Sequence, residues 1–296
     1  MRAWGAALLV ATLTWLAAEP AAGQGGRRYY DTGQEVVPAY EGWEQNDDGS
    51  FNLVFGTMNR NWKEELHIPI GPDNNIEPGG PDQGQPTYFL PRRNRFLFRV
   101  RVPADFGDNE LVWTLTSHGE TKQAYGTLKP DYFMDKNVRM ANNGASIFGE
   151  IFVNEPPELT VEGESTRTVS VNEPVALAAV AHDEDGLPAP RPMRSLDPAR
   201  PTSVAPVAAT GLRLSWFVYR APAPVTFEPT QIKVWEDTRP NSNSPWGAGW
   251  QTPEPPPDNR WVAEATFSAP GTYVLRCIAH DGGLTAHEDV TFVVTE

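Results

Sequence analysis

The chain has 296 residues, 29 Pro, 25 Gly and a net charge of −14, with both halves acidic. An acidic chain of this kind disfavours a nucleic-acid role, and its 10% aromatic and 40% hydrophobic content argues against wholesale disorder. The length suits about two domains, and one cysteine, Cys277, rules out an intramolecular disulfide.

Residues 1–23 read as a secretory signal peptide. Met1-Arg2 supplies a small positive start, Ala3 to Ala18 holds no charge, and Ala21-Ala22-Gly23 supplies small residues for cleavage. Residues 24–40 have no pattern and read as a flexible leader. A first domain is expected over 41–153. Phe51, Leu53 and Phe55 alternate after the turn composition Asp47-Asp48-Gly49-Ser50. A short segment at Ile68-Pro69-Ile70 precedes a long Gly- and Pro-rich loop from Gly71 to Pro86. Strands are then predicted at 87–90, 96–102, 110–116 and 123–128. On the second of these, Phe96, Phe98, Val100 and Val102 alternate against Arg99 and Arg101. This Arg-studded face fits either a solvated surface paired with acidic neighbours or a contact for an anionic glycan or acidic partner. No segment has convincing helical amphipathicity, which points to a β-sandwich or partial barrel. Residues 130–153 read as a linker, with a turn signal at Asn142-Asn143-Gly144.

The second domain, 154–296, opens after Pro156-Pro157. Strands are predicted at 159–161, 168–171, 175–181, 212–218, 231–235, 261–267, 271–280 and 289–294. Leu212, Leu214, Trp216 and Val218 alternate on what reads as a central strand. Tyr273, Leu275, Cys277 and Ala279 share one buried face, where Cys277 acts as a small hydrophobe. Two proline-rich insertions, Leu187–Gly211 and Glu236–Asn259, interrupt the pattern; without them the segment comes close to the ~100 residues of an immunoglobulin-like sandwich. The expected architecture is therefore all-β, two sandwiches in tandem, the second immunoglobulin-like with two long loops.

Particular motifs carry two resemblances. Pro157-Glu158-Leu159, Asp183-Glu184-Asp185-Gly186, Leu214-Ser215-Trp216 and Ala269-Pro270-Gly271-Thr272-Tyr273 with Asp281-Gly282 make the second domain similar to polycystic-kidney-disease-type and cadherin-like repeats. Gly42-Trp43-Glu44, Asp48-Gly49-Ser50-Phe51, Asn59-Arg60-Asn61, Ile68-Pro69-Ile70-Gly71, Pro78-Gly79-Gly80 and Asp82-Gln83-Gly84-Gln85-Pro86 make residues 41–135 resemble an uncharacterised domain of secreted bacterial proteins. That second resemblance implies compartment and no activity.

Two strands end in Ala-His-Asp, at Asp183 and Asp281. In an immunoglobulin-like sandwich both point inward at one pole, with Asp185 in the next turn and Glu155 arriving on the linker. These four residues either bind Ca²⁺, which takes oxygen ligands, or cap glycine turns. Trp246, Trp250 and Trp62 either stack on sugar rings or tuck back onto the protein. No His-Glu-x-x-His, Gly-x-Ser-x-Gly or phosphate-loop motif is present, and the five histidines are scattered. Glu41, Glu44, Asp47 and Asp48 could form a carboxylate pair, but Asp-Asp-Gly is a common turn. The expectation is a non-catalytic, exported structural or adhesive protein, periplasmic or on the cell surface, with a protein or glycan partner; the alternative is a carbohydrate-binding protein using the three tryptophans.

Overall fold

Alternation of apolar and polar residues builds the first sandwich. The computed structural model describes residues 29–145, 153–184, 209–247 and 249–296. Strands β1 (Val36–Gln45), β2 (Phe51–Asn59), β3 (Leu66–His67), β4 (Asn74–Glu77), β5 (Tyr88–Phe89), β6 (Arg92–Val102), β7 (Leu111–Ser117) and β8 (Glu120–Gly126) make up this half. One sheet is ordered β1-β2-β6 and a second β4-β7-β8, with β3 and β5 paired separately. Between them lie Leu53, Phe55, Phe98, Trp113 and Leu115, all 4% exposed or less. The Phe98 and Trp113 rings meet edge to face at 4.9 Å.

Three features of this half depart from the sequence reading. The leader ends early: β1 begins at Val36, whose N–H donates to Ser117 Oγ at 2.9 Å. Pro38 masked it, yet an edge strand tolerates proline because its outward N–H is not needed. The loop from Gly71 to Pro86 holds β4, and buried polar side chains organise it. Asn74 Nδ2 donates to the Ile68 and Pro86 carbonyls, and Trp113 Nε1 donates to Asn74 Oδ1. A short helix, α1 (Lys136–Asn143), follows the sandwich. The Asp135 carboxylate accepts from Val138 N at its start, and Gly144, at φ 98°, ends it. Asn142-Asn143-Gly144 is thus a helix terminus.

The second half comprises β9 (Glu158–Val161), β10 (Thr166–Ser170), β11 (Val175–His182), β12 (Arg213–Arg220), β13 (Val225–Glu228), β14 (Arg260–Phe267), β15 (Gly271–His280) and β16 (Thr285–Thr295). One sheet runs β9-β11-β14-β13; the other runs β10-β16-β15-β12, with β10 parallel to β16. In immunoglobulin letters these are A-B-E-D and A′-G-F-C, so the second half is an immunoglobulin-like sandwich by strand order. Trp216, Phe267, Tyr273 and Phe292 fill its core at 1% exposure or less. Cys277 is fully buried, and burial pushes its thiol pKa up. Two expectations change. The strand after β12 is Val225–Glu228, while 231–235 is irregular. The strand carrying Trp216 lies at the edge of its sheet, although seven of its eight residues are buried.

Candidate functional site

The outer face of the β10-β16-β15-β12 sheet is where the two halves meet. On β12, Leu214, Trp216 and Val218 enter the core, so parity sends Arg213, Ser215, Phe217 and Tyr219 to the other side. Those four are nevertheless 3–7% exposed. The first sandwich covers Ser215, Phe217 and Tyr219, while Arg213 lies against Ala209, Gly211 and Trp250 of its own half. Arg276 on β15 is central to this contact. Its Nε and Nη2 donate to the Asp289 carboxylate at 2.7 and 2.8 Å, its Nη1 donates to the Leu97 carbonyl, and its guanidinium lies 3.8 Å from the Tyr219 ring centroid. Burial works against its charge, but Asp289 and Tyr219 hold its pKa above the usual arginine value. The Tyr219 hydroxyl donates to the Gly84 carbonyl. Arg220 forms a two-pronged pair with Asp82 at 2.8 and 2.9 Å and donates to the Gln85 carbonyl.

The same contact closes the β12 edge. Thr87 N donates to the Tyr219 carbonyl, Ala221 N donates to Thr87 Oγ1, and Trp216 N donates to Gln231 Oε1. Further along, Arg95 pairs with Glu236, whose N–H donates to the Arg93 carbonyl. A bulge in β6 makes this reach possible. Phe55 faces Phe98 and Thr57 faces Asn94, so Arg95, Phe96 and Leu97 lie opposite Gly56 alone. Gly56 has no room for a side chain: a Cβ there would meet Glu41 Oε1 and come within 2.5 Å of the Asn94 carbonyl oxygen. Phe96, predicted to point into the first core, sits in the bulge at φ 51° and faces the second sandwich instead.

A cavity of about 70 Å³ is left inside this contact, walled by the β6 bulge, β12, β15 and residues 232–246. Arg213, 4% exposed, lines it. Its Nη1 donates to the Ala209 and Gly211 carbonyls at 2.8 and 3.2 Å. Burial lowers its pKa to about 10, with Asp281 opposing. Beside it, His280 accepts from Gly282 N through Nδ1. Burial, then Arg213, hold its imidazole well below its ordinary value.

The residues of the predicted acidic pole are held in different ways. Asp281 is fully buried at the end of β15. Its Oδ1 accepts from Gly283 N and Leu284 N at 2.5 and 2.7 Å, and its Oδ2 accepts from Asn154 Nδ2 at 2.9 Å. Burial raises its pKa, and these donors pull against that rise. Asp183 is half-buried just past β11, Glu155 is exposed and pairs with Lys136 at 2.5 Å, and Asp185 lies outside the described residues. Among the described residues no three His, Cys, Asp or Glu side chains converge to hold a metal ion. Two side-chain amides tie the linker to this pole: Asn154 Nδ2 donates to Asp281, and Asn143 Nδ2 donates to the Gly283 carbonyl at 2.8 Å.

Each of the three tryptophans is engaged within the protein. Trp62 has Arg92 and Arg239 at 4.3 and 4.5 Å from its ring centroid and meets Tyr29 edge to face. Trp246 is 9% exposed against the cavity. Trp250 is half-buried, with the Arg213 guanidinium 5.9 Å from its ring. Asp237 holds their loop in shape. Fully buried, it accepts from Lys233 and Arg239 at 2.6–2.7 Å. Burial would raise its pKa, but those two cations bring it down to about 2. The arginine face of β6 is also paired internally: Arg93 with Glu41, Arg99 with Glu44 and Arg101 with Asp48. Glu44 also meets Arg139 at 3.2 Å, so Glu41, Glu44 and Asp48 serve as ion-pair and turn groups, Asp48 accepting from Ser50 as well.

The sequence reading missed Arg213, Arg276 and His280 as a group. The available signal was their shared outward parity beside strands buried on the opposite face. The predicted signal peptide, residues 1–23, lies outside the described residues, as does most of the first proline-rich insertion. Among the described residues, no helix is long and apolar enough to cross a membrane.

No family model matches the sequence, and no curated protein matches it. Solved structures similar to it include the N-terminal eight Ig domains of Down Syndrome Cell Adhesion Molecule, at 11% identity and a TM-score of 0.23 over 88% of this chain; the match spans only 27% of that chain. The D00-D0 domain of intimin matches at 9% identity and 0.24, covering 88% of this chain and all of that one. Domains 4 and 5 of the S-layer protein SbsC match at 11% identity and 0.22, covering 89% and 98%. The immunoglobulin-like assignment rests on the strand order and register of β9–β16, not on these superpositions.

Proposed function

We propose that this protein is a non-catalytic structural or adhesive module, exported to the periplasm or cell surface, that presents its two sandwiches as one rigid body. The supporting observation is the covered outer face of β12 and of Arg276 on β15. Arg276, Tyr219 and Arg220 reach across to backbone carbonyls and a carboxylate of the first half. Such a joint costs desolvation of charged groups and returns a fixed angle between halves, which suits a spacer or an adhesive stalk.

A partner then needs a surface that the chain has not used itself. β13 ends its sheet, and among the described residues no other segment makes a backbone hydrogen bond along its outer side. An open edge of this kind takes an added strand. A photo-crosslinker at exposed Thr226, used in cells that express the protein, should capture a protein partner, and adding Glu228→Lys on the same exposed edge should abolish capture. The carbohydrate reading turns on half-buried Trp62, which lies outside the loop that carries Trp246 and Trp250. A glycan-array signal lost on Trp62→Ala, with no Thr226 crosslink, would replace the adhesive reading with that one.

A further inference from the structure

We propose that the cavity between the two sandwiches binds one small carboxylate bearing a short apolar tail, with Arg213 and Trp246 as its donors. The inference starts from the charges around the cavity. Arg93, Arg95, Arg276 and Lys233 line it, and each has its own carboxylate: Glu41, Glu236, Asp289 and Asp237. Arg213 also lines it, and among the described residues no carboxylate lies within ion-pair distance of it. Its Nη1 is used by two carbonyls, whereas its Nη2 is buried with no hydrogen-bond partner. Leaving a charged donor buried and unpaired is among the more costly arrangements in a protein interior. Trp246 Nε1, at a residue 9% exposed, is likewise buried without a partner.

Both bare groups donate, so the missing molecule must accept. A water accepts too and can pass its own hydrogens to Ser215 or Thr285, which share the lining with Phe217, Ile278, Ile232 and Val234, but it brings no charge to Arg213. A carboxylate accepts from both donors and brings no hydrogen of its own. Asp281 acts on Arg213 at longer range while its oxygens serve other donors, so one such cation matches a monoanion better than phosphate or sulfate. The apolar wall suits a tail of one or two methylene groups. At about 70 Å³, the space exceeds the ~10–15 Å³ that one water needs.

Titration calorimetry of the full chain at pH 7 and constant ionic strength tests this with sodium propionate, propionamide and sodium phosphate as probes. Propionate should bind at one site per chain. Propionamide, the same shape without the charge, should bind at least about tenfold more weakly, the scale of a lost hydrogen bond to a charged group. Phosphate should be weaker than propionate. Trp246→Phe, which keeps the ring and removes the donor, should weaken propionate about fivefold, and Arg213→Met should abolish binding. Should Arg213→Met fail to fold, Trp246→Phe and the propionamide comparison still decide the matter. Propionate binding no better than propionamide or phosphate, or unchanged in Trp246→Phe, would overturn the proposal and leave the cavity to water.

Discussion

Asp281 and Arg213 are both buried and charged, and they lie close in the fold, since Arg213 pairs in register with His280, the neighbour of Asp281. They are treated in opposite ways. Both Asp281 oxygens are occupied, by two backbone N–H groups and the Asn154 amide. Arg213 has one nitrogen tied to carbonyls and the other bare. A buried charge whose hydrogen bonds are all made reads as architecture. A buried charge left incomplete beside a cavity reads as a place for something else.

The largest expected effect tests the satisfied member. Asp281→Ala strands two backbone N–H groups and the Asn154 amide together, and should cost about 3–5 kcal/mol in urea unfolding at pH 7. Arg276→Ala removes the bond to Leu97 and leaves Asp289 without its partner. Because Asp289 is 37% exposed and water can replace part of the loss, the cost should be about 2–3 kcal/mol. Gly56→Ala forces the β6 bulge to move and should cost about 1–3 kcal/mol, with added protease sensitivity between the halves as the accompanying sign. Arg213→Met sharpens the contrast from the other side. It removes a desolvated charge that makes no ion pair among the described residues, but it also takes the donor from the Ala209 and Gly211 carbonyls, so the cost should be about 1–2 kcal/mol, well below that of Asp281→Ala. A loss as large as that of Asp281→Ala would mean the two charges are not different in kind.

The smallest effect is in pH. The His280 pKa is lowered on folding, by burial first and then by Arg213. The unfolded chain therefore binds the extra proton below about pH 6.5, so stability falls as pH drops from 7 toward 5. His280→Asn, which keeps an acceptor for Gly282 N, should reduce that slope in urea midpoints across this range, with His287 and His67, whose pKa values burial also lowers, supplying the remainder.

Much of the second sandwich was legible because periodicity reports one buried face directly. The rows ending in Asp183 and Asp281 and the apolar row through Trp216 needed only parity. The contact between the halves was not legible. Arg213 and Arg276 occupy positions that, on a free sandwich, would face water, and nothing local distinguishes a solvated arginine from one covered by another domain. β4 was hidden because Asn74-Asn75-Ile76-Glu77 reads as loop, although Asn74 is a buried hub. α1 was hidden because it is only eight residues long, and its caps, Asp135 and Gly144, define it better than any apolar stripe. The tryptophans of the second long loop were read as a choice between binding and packing, and only the Asp237 network shows how the loop turns Trp246 inward.

The central claim is that the two sandwiches behave as one body through the covered sheet face. Scanning calorimetry of the intact chain tests it most directly. The account predicts one transition whose van't Hoff and calorimetric enthalpies agree, splitting into two when Arg220→Ala is combined with Arg276→Ala. Two separate transitions in the unaltered protein would contradict it.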